Sequence, residues 1–475
     1  MLIRNAEVSG RGLLDVELQG GRIAAISPAS PGSPSEDTVF DARGGALLPG
    51  LNDHHLHLAG LAVSKASVRC GPPDVTDAAS LAAQLQRPGD GWLRGIGYHE
   101  SVMGLPDAAA LDQLVPDRPV RIQHRGGRMW LLNSRALDEL LAGATPPPGL
   151  ERSGGRYTGR LFDEDAWLRA ALGSQPPDFA DVSRELAALG VTSFTDMTPQ
   201  NDAAAARHFG HQRCTGALLQ RAVLAGTLDL ARAPGDDWTL GPAKLHLHEA
   251  ALPDFDETLG FIRAAHAQDR GVAVHCTTEV EIVFTLALLE EAGPHPRDRI
   301  EHASITDPGH VARIAAMGLS VCVQPHFIAE RGDAYLADVE PHHHANLYRL
   351  ASLQAAGIPL AGGSDAPFGG LNPWLAMAAA TDRRTSSGEV IGPDEALSPD
   401  AALALWLADP LDLSRTRCVA VGEPADLVLL DAPWAEAGAA LASTRPLATW
   451  INGSLVYQRV NQPPGERGAG GNSPA

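Results

Sequence analysis

The chain has 475 residues, 44% of them hydrophobic and 20% charged, which is ordinary for a globular protein with a large core. Its formal net charge of -20 argues against a nucleic-acid partner, because a phosphate backbone requires clustered Lys and Arg, and favours a small-molecule substrate. No signal peptide, membrane-spanning run or C-x-x-C pair is evident, so we expect a cytoplasmic protein with reduced thiols and no membrane partner.

Both ends of the chain have the alternating pattern of β-strands. Near the start, DVELQGGRIAAI alternates polar and apolar residues around a Gly-Gly turn. Near the end, ADLVLLDAPW and ATWINGSLVYQRV predict further strands, the latter folded about Asn452-Gly453. We expect residues 1–45 and 413–461 to form one small β-sandwich domain. The polar tail, 462–475, has little apolar content, and we expect it to be disordered.

Between these ends, short apolar runs alternate with helical stretches. This alternation predicts a parallel sheet with right-handed crossovers, and eight strands predict a closed (β/α)8 TIM-like barrel over residues 46–412. Residues 60–185 are too many for the two strands expected there, so we also predict an inserted subdomain over the barrel mouth. The eight strands are assigned to ALLPGLND, PVRIQH, VTSFTDM, AKLHLH, GVAVHC, DRIEHA, LSVCVQP and IPLAGGSD.

Metal-ligand side chains recur at the ends of these strands, where a parallel barrel has its active site. In LLPGLNDHHLH, side chains two positions apart share a strand face, so Asp53, His55 and His57 point together and His54 points away. An H-x-H pair can chelate one ion from a single strand. Convergence of several such strands predicts a metal site. The candidate ligands are His55, His57, Lys244, His275, His302 and Asp365.

The ordered motifs resemble the amidohydrolase superfamily over nearly the whole chain. They are PGLNDHHLH, AKLHLH, VAVHC, IEHAS, GGSDAPF and GEPADLVLLD. Three longer stretches are similar to the branch that contains N-substituted formamide deformylases and related metal-dependent hydrolases: GWLRGIGYHES, PVRIQHRGGRMWLLNSRAL and GGSDAPFGGLNPWLAMAAA. The resemblance implies an enzyme that hydrolyses a carbon–nitrogen bond other than a peptide bond, in an amide, formamide or cyclic amide. A homodimer would be usual.

The resemblance also implies two divalent ions. His55 and His57 would hold the more buried ion together with Asp365, whereas His275 and His302 would hold the second. Zinc is favoured by nitrogen and oxygen ligands of this kind, and manganese, iron or cobalt would also fit.

Lys244 matches the family position at which a lysine is carboxylated by CO2 and bridges the two ions. An unmodified ammonium would repel a metal, whereas a carbamate is an anion with two oxygens. The implied mechanism is attack on a carbonyl by a metal-bridging hydroxide. Asp365 would take the proton of this hydroxide and return it to the leaving nitrogen.

Five further residues are candidates for substrate contacts. Arg128 could clamp a carboxylate, although a structural salt bridge would equally explain it. His246 and His248 lie on the predicted fourth strand, on the same face as Lys244, and could contact metal or substrate, or pack in the core or at the barrel mouth. His326 ends the seventh strand and could face the substrate. Trp92 lies in the predicted insertion, either as a packing residue or in an apolar pocket.

Two other functions stay open. The first is a mononuclear zinc deaminase of an aminated ring, whose relatives lack the bridging lysine and have Glu three residues after the strand-five histidine. Here Thr278 occupies that position, Glu279 follows it, and Lys244 is present. The second is a non-catalytic relative, which would be expected to lack ligands. The tract 342–344, three histidines, is either a metal-binding segment or a solvated lid loop.

Overall fold

The computed structural model describes residues 1–8, 10–29, 39–86, 89, 91–173 and 176–459. It contains two compact units, one formed by residues 1–58 and 179–475 and the other by residues 59–178. The predicted disordered tail, 462–475, lies outside the described residues. No helix in the described ranges has the length and apolar character needed to cross a membrane.

Eight parallel strands form a barrel in the first unit, which confirms the predicted fold class. Barrel strands that follow one another in the chain are hydrogen-bonded neighbours in the sheet. The strands are Leu51–Leu56 (β1), Val191–Asp196 (β2), Arg221–Gly226 (β3), Thr239–His246 (β4), Val272–Cys276 (β5), Arg299–His302 (β6), Ser320–Val323 (β7) and Leu360–Gly362 (β8).

One strand assignment was wrong. The run PVRIQH, predicted as the second barrel strand, forms Val120–His124 in the second unit, and the run RAVLAG supplies β3 instead. The two runs differ in burial. Residues alternate between buried and half-buried along Val120–His124, whereas β3 is buried from Ala222 onward, as strands covered on both faces are. The count stays at eight, so Lys244 still lies on β4.

Hydrogen bonds between β1 and the segment after β8 close the barrel. The amide of Asp365 donates to the carbonyl of His55 (2.6 Å), and the amide of His57 donates to the carbonyl of Ala366 (2.8 Å). Gly363 permits this approach, because a Cβ at this position would lie 2.5 Å from Cβ of His55. Closure therefore brings the first and last strands together at their carboxyl ends.

Six of the ten helices described in this unit begin at a residue whose side chain caps the helix. Thr278 forms a capping box with Glu281, and Asp307 caps the helix that starts at Pro308. The helices are Ala180–Ala188, Ala203–Cys214, Phe255–Ala267, Glu279–Ala292, Pro308–Ala316, His326–Asp338, Leu350–Ala355, Pro373–Asp382, Pro399–Leu407 and Trp434–Ala439, with 3-10 turns at Glu249–Ala251, Pro341–Asn346, Pro393–Glu395 and Leu441–Ser443.

The predicted sheet from both termini is present. Both hairpins turn through residues with positive φ, at Gly20-Gly21 (58° and 76°) and Asn452-Gly453 (53° and 76°), as two-residue hairpins require. The run ALLPGLND is divided at Gly50 between this sheet and β1. The strands are Leu2–Val8, Gly12–Gln19, Arg22–Pro28, Val39–Asp41, Ala46–Pro49, Leu427–Leu430, Pro446–Ile451 and Ser454–Gln458; a separate hairpin joins Ala408–Asp409 to Asp412–Thr416.

The second unit corresponds to the inserted region. Its core contains Val120, Ile122 and Leu131, all fully buried. Its predicted place over the barrel mouth stays a prediction. Its sheet consists of Val68–Arg69, Leu93–Tyr98, Val120–His124, Met129–Leu132, Leu150–Ser153 and Arg156–Phe162, and its helices are Leu58–Lys65, Ala78–Leu85, Ala108–Leu114, Ser134–Gly143 and Asp165–Leu172.

Candidate metal centre

A pocket of about 220 Å³ lies at the carboxyl ends of the barrel strands. It brings together all six side chains that the sequence predicts as ligands, together with a seventh polar group, His246. A threonine, two aromatic rings and an arginine complete its wall. The lining residues are His55, His57, Lys244, His246, His275, Thr277, His302, Phe327, Arg331, Asp365 and Phe368.

Three of these side chains converge closely enough to share one ion. Nε2 of His55 lies 3.4 Å, and Nε2 of His57 3.2 Å, from Oδ1 of Asp365. The candidate donor atoms of the three residues all lie within 4.8 Å of one another. Two imidazole nitrogens and one carboxylate oxygen are ligands that zinc and similar divalent ions accept, so the donor set fits such an ion.

A buried carboxylate fixes the orientation of His55 through Nδ1, the ring nitrogen that faces away from Asp365. Nδ1 of His55 lies 2.6 Å from Oε2 of Glu301, and Arg299 forms an ion pair with the same carboxylate at 3.0 Å. Arg299 holds the pKa of Glu301 well below its usual range, although burial alone would raise it. An ionised Glu301 accepts the Nδ1 proton, and Nε2 of His55 then offers its lone pair to the pocket.

Two other histidines are held in the same manner by neutral groups. Nδ1 of His57 lies 3.1 Å from the hydroxyl of Thr198, and Nδ1 of His302 lies 2.7 Å from Oε1 of Gln324. An amide oxygen only accepts, so His302 carries its proton on Nδ1. Nε2 of His302 is therefore free to act as a ligand.

Burial keeps three of the imidazoles, those of His55, His275 and His302, neutral at physiological pH. Desolvation lowers the pKa of His55 to about 4 and that of His302 to about 3, and it lowers the pKa of His275 still further. Asp365 stays ionised, because the hydrogen bond from His57 and the neighbouring imidazoles hold its pKa below the usual range despite burial. Neutral imidazoles and an anionic carboxylate are the protonation states that bind metal.

Lys244 is 5% exposed, and its Nζ has no hydrogen-bond partner among the described residues. Burial lowers the pKa of this amine from its ordinary value. A buried ammonium without a partner is costly, so this position suits a neutral or modified amine. The unpartnered Nζ among potential ligands fits a carboxylated lysine that faces a metal.

The backbone is strained at two of the candidate ligands. His302 and Asp365 have φ values of 71° and 52°, and Ala303, next in the chain, has 48°. This left-handed conformation costs about 1 to 3 kcal/mol for a residue with a side chain, and such residues concentrate at functional sites. The β6 and β8 carboxyl ends thus adopt unfavourable conformations where ligand-type side chains enter the pocket.

The other predicted substrate residues on the barrel have different surroundings. The His246 ring stacks on His275 with 4.2 Å between centroids, and the His248 ring lies 4.6 Å from His246 but outside the pocket lining. His326 is buried, with Nε2 3.0 Å from the carbonyl of Ser364. Of these three, only His246 lines the pocket, and direct substrate contact by any of them stays a prediction.

The remaining two predicted substrate residues lie in the second unit. Arg128 forms a bidentate ion pair with Asp163, both N–O distances being 2.7 Å, and its side chain is 80% exposed. Trp92 is partly buried and packs against the apolar cluster around Trp130. The salt bridge of Arg128 and the packing of Trp92 match the structural explanations that the sequence also allows for these residues. A role of either residue in substrate binding stays a prediction.

The histidine tract after β7 lies in the 3-10 turn Pro341–Asn346. Nε2 of His343 is 3.6 Å from Glu279, the His342 ring lies 4.0 Å from that of His343, and His344 donates from Nε2 to the carbonyl of Val339 (2.8 Å). Each of these rings thus has a neighbour within the chain.

Sequence reasoning missed Glu301, Arg299 and Arg331. The first two alternate with apolar residues in the run RIEH, and two opposite charges on one face of a buried strand could have indicated an internal ion pair. Arg331 lies in the helix His326–Asp338, five residues after His326, the candidate at the end of the predicted seventh strand. Nothing in its local sequence indicates that it reaches the pocket.

The histidine-lined pocket of the barrel has the donor set of a divalent-metal site, and the comparisons give the family of the chain. Residues 38–457 match the model of the Amidohydrolase family, so the chain belongs to that family. This confirms the resemblance and the expectation of an enzyme that acts on carbon–nitrogen bonds other than peptide bonds.

Three relatives illustrate the similarity. The chain is 26% identical to an N-substituted formamide deformylase of Arthrobacter pascens, covering 94% of this chain and 95% of the relative. It is 26% identical to the putative amidohydrolase YtcJ of Bacillus subtilis (strain 168), covering 90% and 92%. A solved structure of an uncharacterised metal-dependent hydrolase from Pyrococcus horikoshii OT3 superposes with a TM-score of 0.73 at 21% identity, covering 90% and 97%; this likeness supports the fold.

Proposed function

We propose that the protein hydrolyses the carbon–nitrogen bond of a small amide, formamide or cyclic amide with two divalent metal ions in the barrel pocket. The observation that carries this proposal is the convergence of His55, His57 and Asp365, with 3.2 and 3.4 Å between the imidazole nitrogens and one carboxylate oxygen, beside a buried and unpartnered Lys244. The 26% identity to a formamide deformylase over nearly both chains supports the class of bond.

The pocket side chains divide into two groups of ligands in this proposal. His55, His57 and Asp365 would hold one ion, and His275 and His302 the other. Bound divalent ions, zinc being favoured, lower the pKa of a water molecule and polarise a carbonyl oxygen.

Lys244 would bridge the two ions as a carbamate. Its Nζ forms a bond to the carbon of CO2 and loses a proton, which leaves an anion with two oxygens. The lowered pKa of Lys244 supports this reaction, because only the neutral amine has a lone pair with which to attack CO2. Its burial at 5% exposure supports retention of the anion beside cations.

Asp365 would move the proton. Its carboxylate accepts a proton from the attacking water as the new C–O bond forms, and it donates that proton to the nitrogen as the C–N bond breaks. The products are a carboxylic acid, which is formate in the case of a formamide, and an amine. The pKa of Asp365, which is held below its usual range, keeps the carboxylate ionised and able to accept that proton.

The test is steady-state kinetics on the metal-loaded protein with a panel of formamides, N-acyl compounds, cyclic amides and aminated rings. Asp365→Asn keeps the shape of the side chain but removes its basicity, so we expect turnover to fall by at least about 100-fold, the lower range for a general acid–base. Circular dichroism should remain unchanged. The matched control is Asp181→Asn, whose side chain is 90% exposed and pairs with Arg184 on the surface, and it should keep full activity.

Two results would count against the proposal. An Asp365→Asn variant with a tenth or more of the wild-type turnover would remove Asp365 from proton transfer. Release of ammonia from aminated rings, without hydrolysis of any amide or formamide, would instead support the mononuclear deaminase.

A further inference from the structure

Arg331 brings a positive charge to the wall of the pocket. It extends from the helix His326–Asp338 and lines the same space as the candidate ligands. Its guanidinium carbon lies 3.9 Å from the centre of the Phe327 ring, and Nη2 donates to the carbonyl of Phe368. The stacking and this one hydrogen bond fix the plane of the guanidinium before any ligand binds.

The guanidinium retains donors for a ligand. Among the described residues, no carboxylate lies within ion-pair distance of Arg331, and Nε and Nη1 have no acceptor. Glu330, its neighbour in the chain, accepts from the amide of Gly370 instead (3.0 Å). The one carboxylate in the pocket lining, Asp365, is engaged with His55 and His57. By contrast, Arg128 and Arg313 each have a bidentate carboxylate partner.

We propose that Arg331 binds a carboxylate of the substrate, so that the protein acts on small amides that also carry an anionic group. This inference rests on the proposed function for the scissile bond. An arginine offers two parallel N–H groups to a carboxylate, and the stacking of Arg331 on Phe327 holds those groups in place for the ligand. The substrate is oriented with its anionic end at Arg331 and its amide at the histidines.

The pocket places both kinds of group in one space. With a volume of about 220 Å³, it suits a small molecule. A formyl or short acyl group on an amino acid has an amide and a carboxylate within this volume. Phe368, which is 63% exposed at the pocket, leaves an apolar surface for a side chain on such a substrate.

Binding of two matched compounds by isothermal titration calorimetry tests this inference. N-methylsulfonylglycine carries a carboxylate, N-(2-hydroxyethyl)methanesulfonamide is a neutral counterpart, and neither compound has an amide carbonyl to hydrolyse. With the metal-loaded full chain, we expect the carboxylate to bind more tightly. Arg331→Met should weaken its binding by about 10- to 100-fold, the value of a charge-assisted hydrogen bond, and should change binding of the neutral compound by less than about 3-fold.

Two further variants separate charge from packing. Arg331→Lys keeps the charge without the bidentate geometry and should retain an intermediate affinity for the carboxylate. Arg313→Met removes an arginine that pairs with Glu290 on the surface and should leave both affinities unchanged.

The outcomes of this experiment are distinct from those of the hydrolysis assays. Equal losses for both compounds in Arg331→Met would mean that Arg331 only holds the Phe368 segment, and absent or unselective binding of the carboxylate by the wild type would also overturn the inference. Selective binding that depends on Arg331, in a protein that hydrolyses no amide, would uphold the anion site and reject the proposed function.

Discussion

Glu301 is the residue on which the orientation of His55 most depends. It is completely buried, it accepts from Nδ1 of His55, and it pairs with Arg299, which also donates to the carbonyl of His54 (2.8 Å). A ligand histidine whose second nitrogen is held by a carboxylate has a fixed tautomer and a more basic donor atom. Glu301 thus acts on the metal through His55, as a positioning residue.

We predict that Glu301→Gln weakens metal binding by about 10- to 100-fold, the usual effect of removing such a partner. The amide keeps the volume but not the charge, so His55 loses its anionic acceptor. The variant should also lose about 3 to 5 kcal/mol of unfolding free energy, because Arg299 becomes an unpaired buried cation. Competition with a chelator measures the metal affinity, and urea unfolding measures the stability.

Glu290→Gln is the control for this prediction. Glu290 pairs with Arg313 on the surface, where an ion pair contributes about 0 to 1 kcal/mol, so its replacement should alter neither quantity appreciably. Unchanged metal affinity in Glu301→Gln would show that His55 keeps its orientation without the carboxylate.

Individual ligand residues could be predicted from the sequence, but their supporting partners could not. His55, His57, His275 and Asp365 each follow an apolar run, and strand periodicity is sufficient to indicate which side chains share a face. Glu301 lies 246 positions from His55, and only closure of the barrel brings the two together. The charge of Arg331 is likewise visible in the sequence, whereas its place in the pocket depends on the path of a helix.

At the scale of elements, the junction between β1 and the segment after β8 positions two ligands together. Gly363 lies against the backbone of β1, where an added Cβ would be 2.5 Å from Cβ and 2.7 Å from the backbone nitrogen of His55. These are backbone-anchored atoms and cannot rotate away. The packing of this glycine therefore couples closure of the barrel to the geometry of His55 and Asp365.

We predict that Gly363→Ala destabilises the protein by about 1 to 3 kcal/mol, the range for overpacking a close-packed site. It should also reduce activity and metal content together, because the strands move apart where His55 and Asp365 meet. Thermal unfolding and metal analysis on the same sample measure both effects.

Gly210→Ala provides the comparison, since it lies in the helix Ala203–Cys214 with no atom within 4 Å of an added Cβ. Alanine is the better helix former, so this variant should be neutral or slightly stabilising. Equal stability of Gly363→Ala and wild type would mean that the junction can widen without cost.

Element type was easier to predict than element position. The capping residues Thr278 and Asp307 mark helix starts, and both hairpin turns carry residues suited to positive φ. Short runs are less informative, because Val120–His124 and Arg221–Gly226 have similar lengths but pair in different sheets. The sequence signal that separates them is the unbroken apolar run AVLA against the alternation in VRIQH, since a strand buried on both faces is apolar throughout.

At the scale of the whole molecule, the barrel unites residues from distant parts of the chain into one pocket. The predicted alternation of strands and helices stays correct despite the misassigned strand. The barrel still has eight strands, and Lys244 still lies on β4. The length of the second unit, residues 59–178, was evident from the excess of residues between β1 and β2. Its own sheet order was not, since those strands pair with one another in both directions.

The central claim is that Lys244 is carboxylated and bridges two ions, and it depends on the whole barrel, since the ligands come from β1, β4, β5, β6 and the end of β8. The most direct measurement is a crystal structure of the native metal-loaded protein with anomalous scattering data. The account predicts two anomalous peaks in the pocket and extra density on Nζ of Lys244 that is continuous with both. A single peak beside an unmodified lysine, in a fully active sample, would contradict it and favour the mononuclear deaminase.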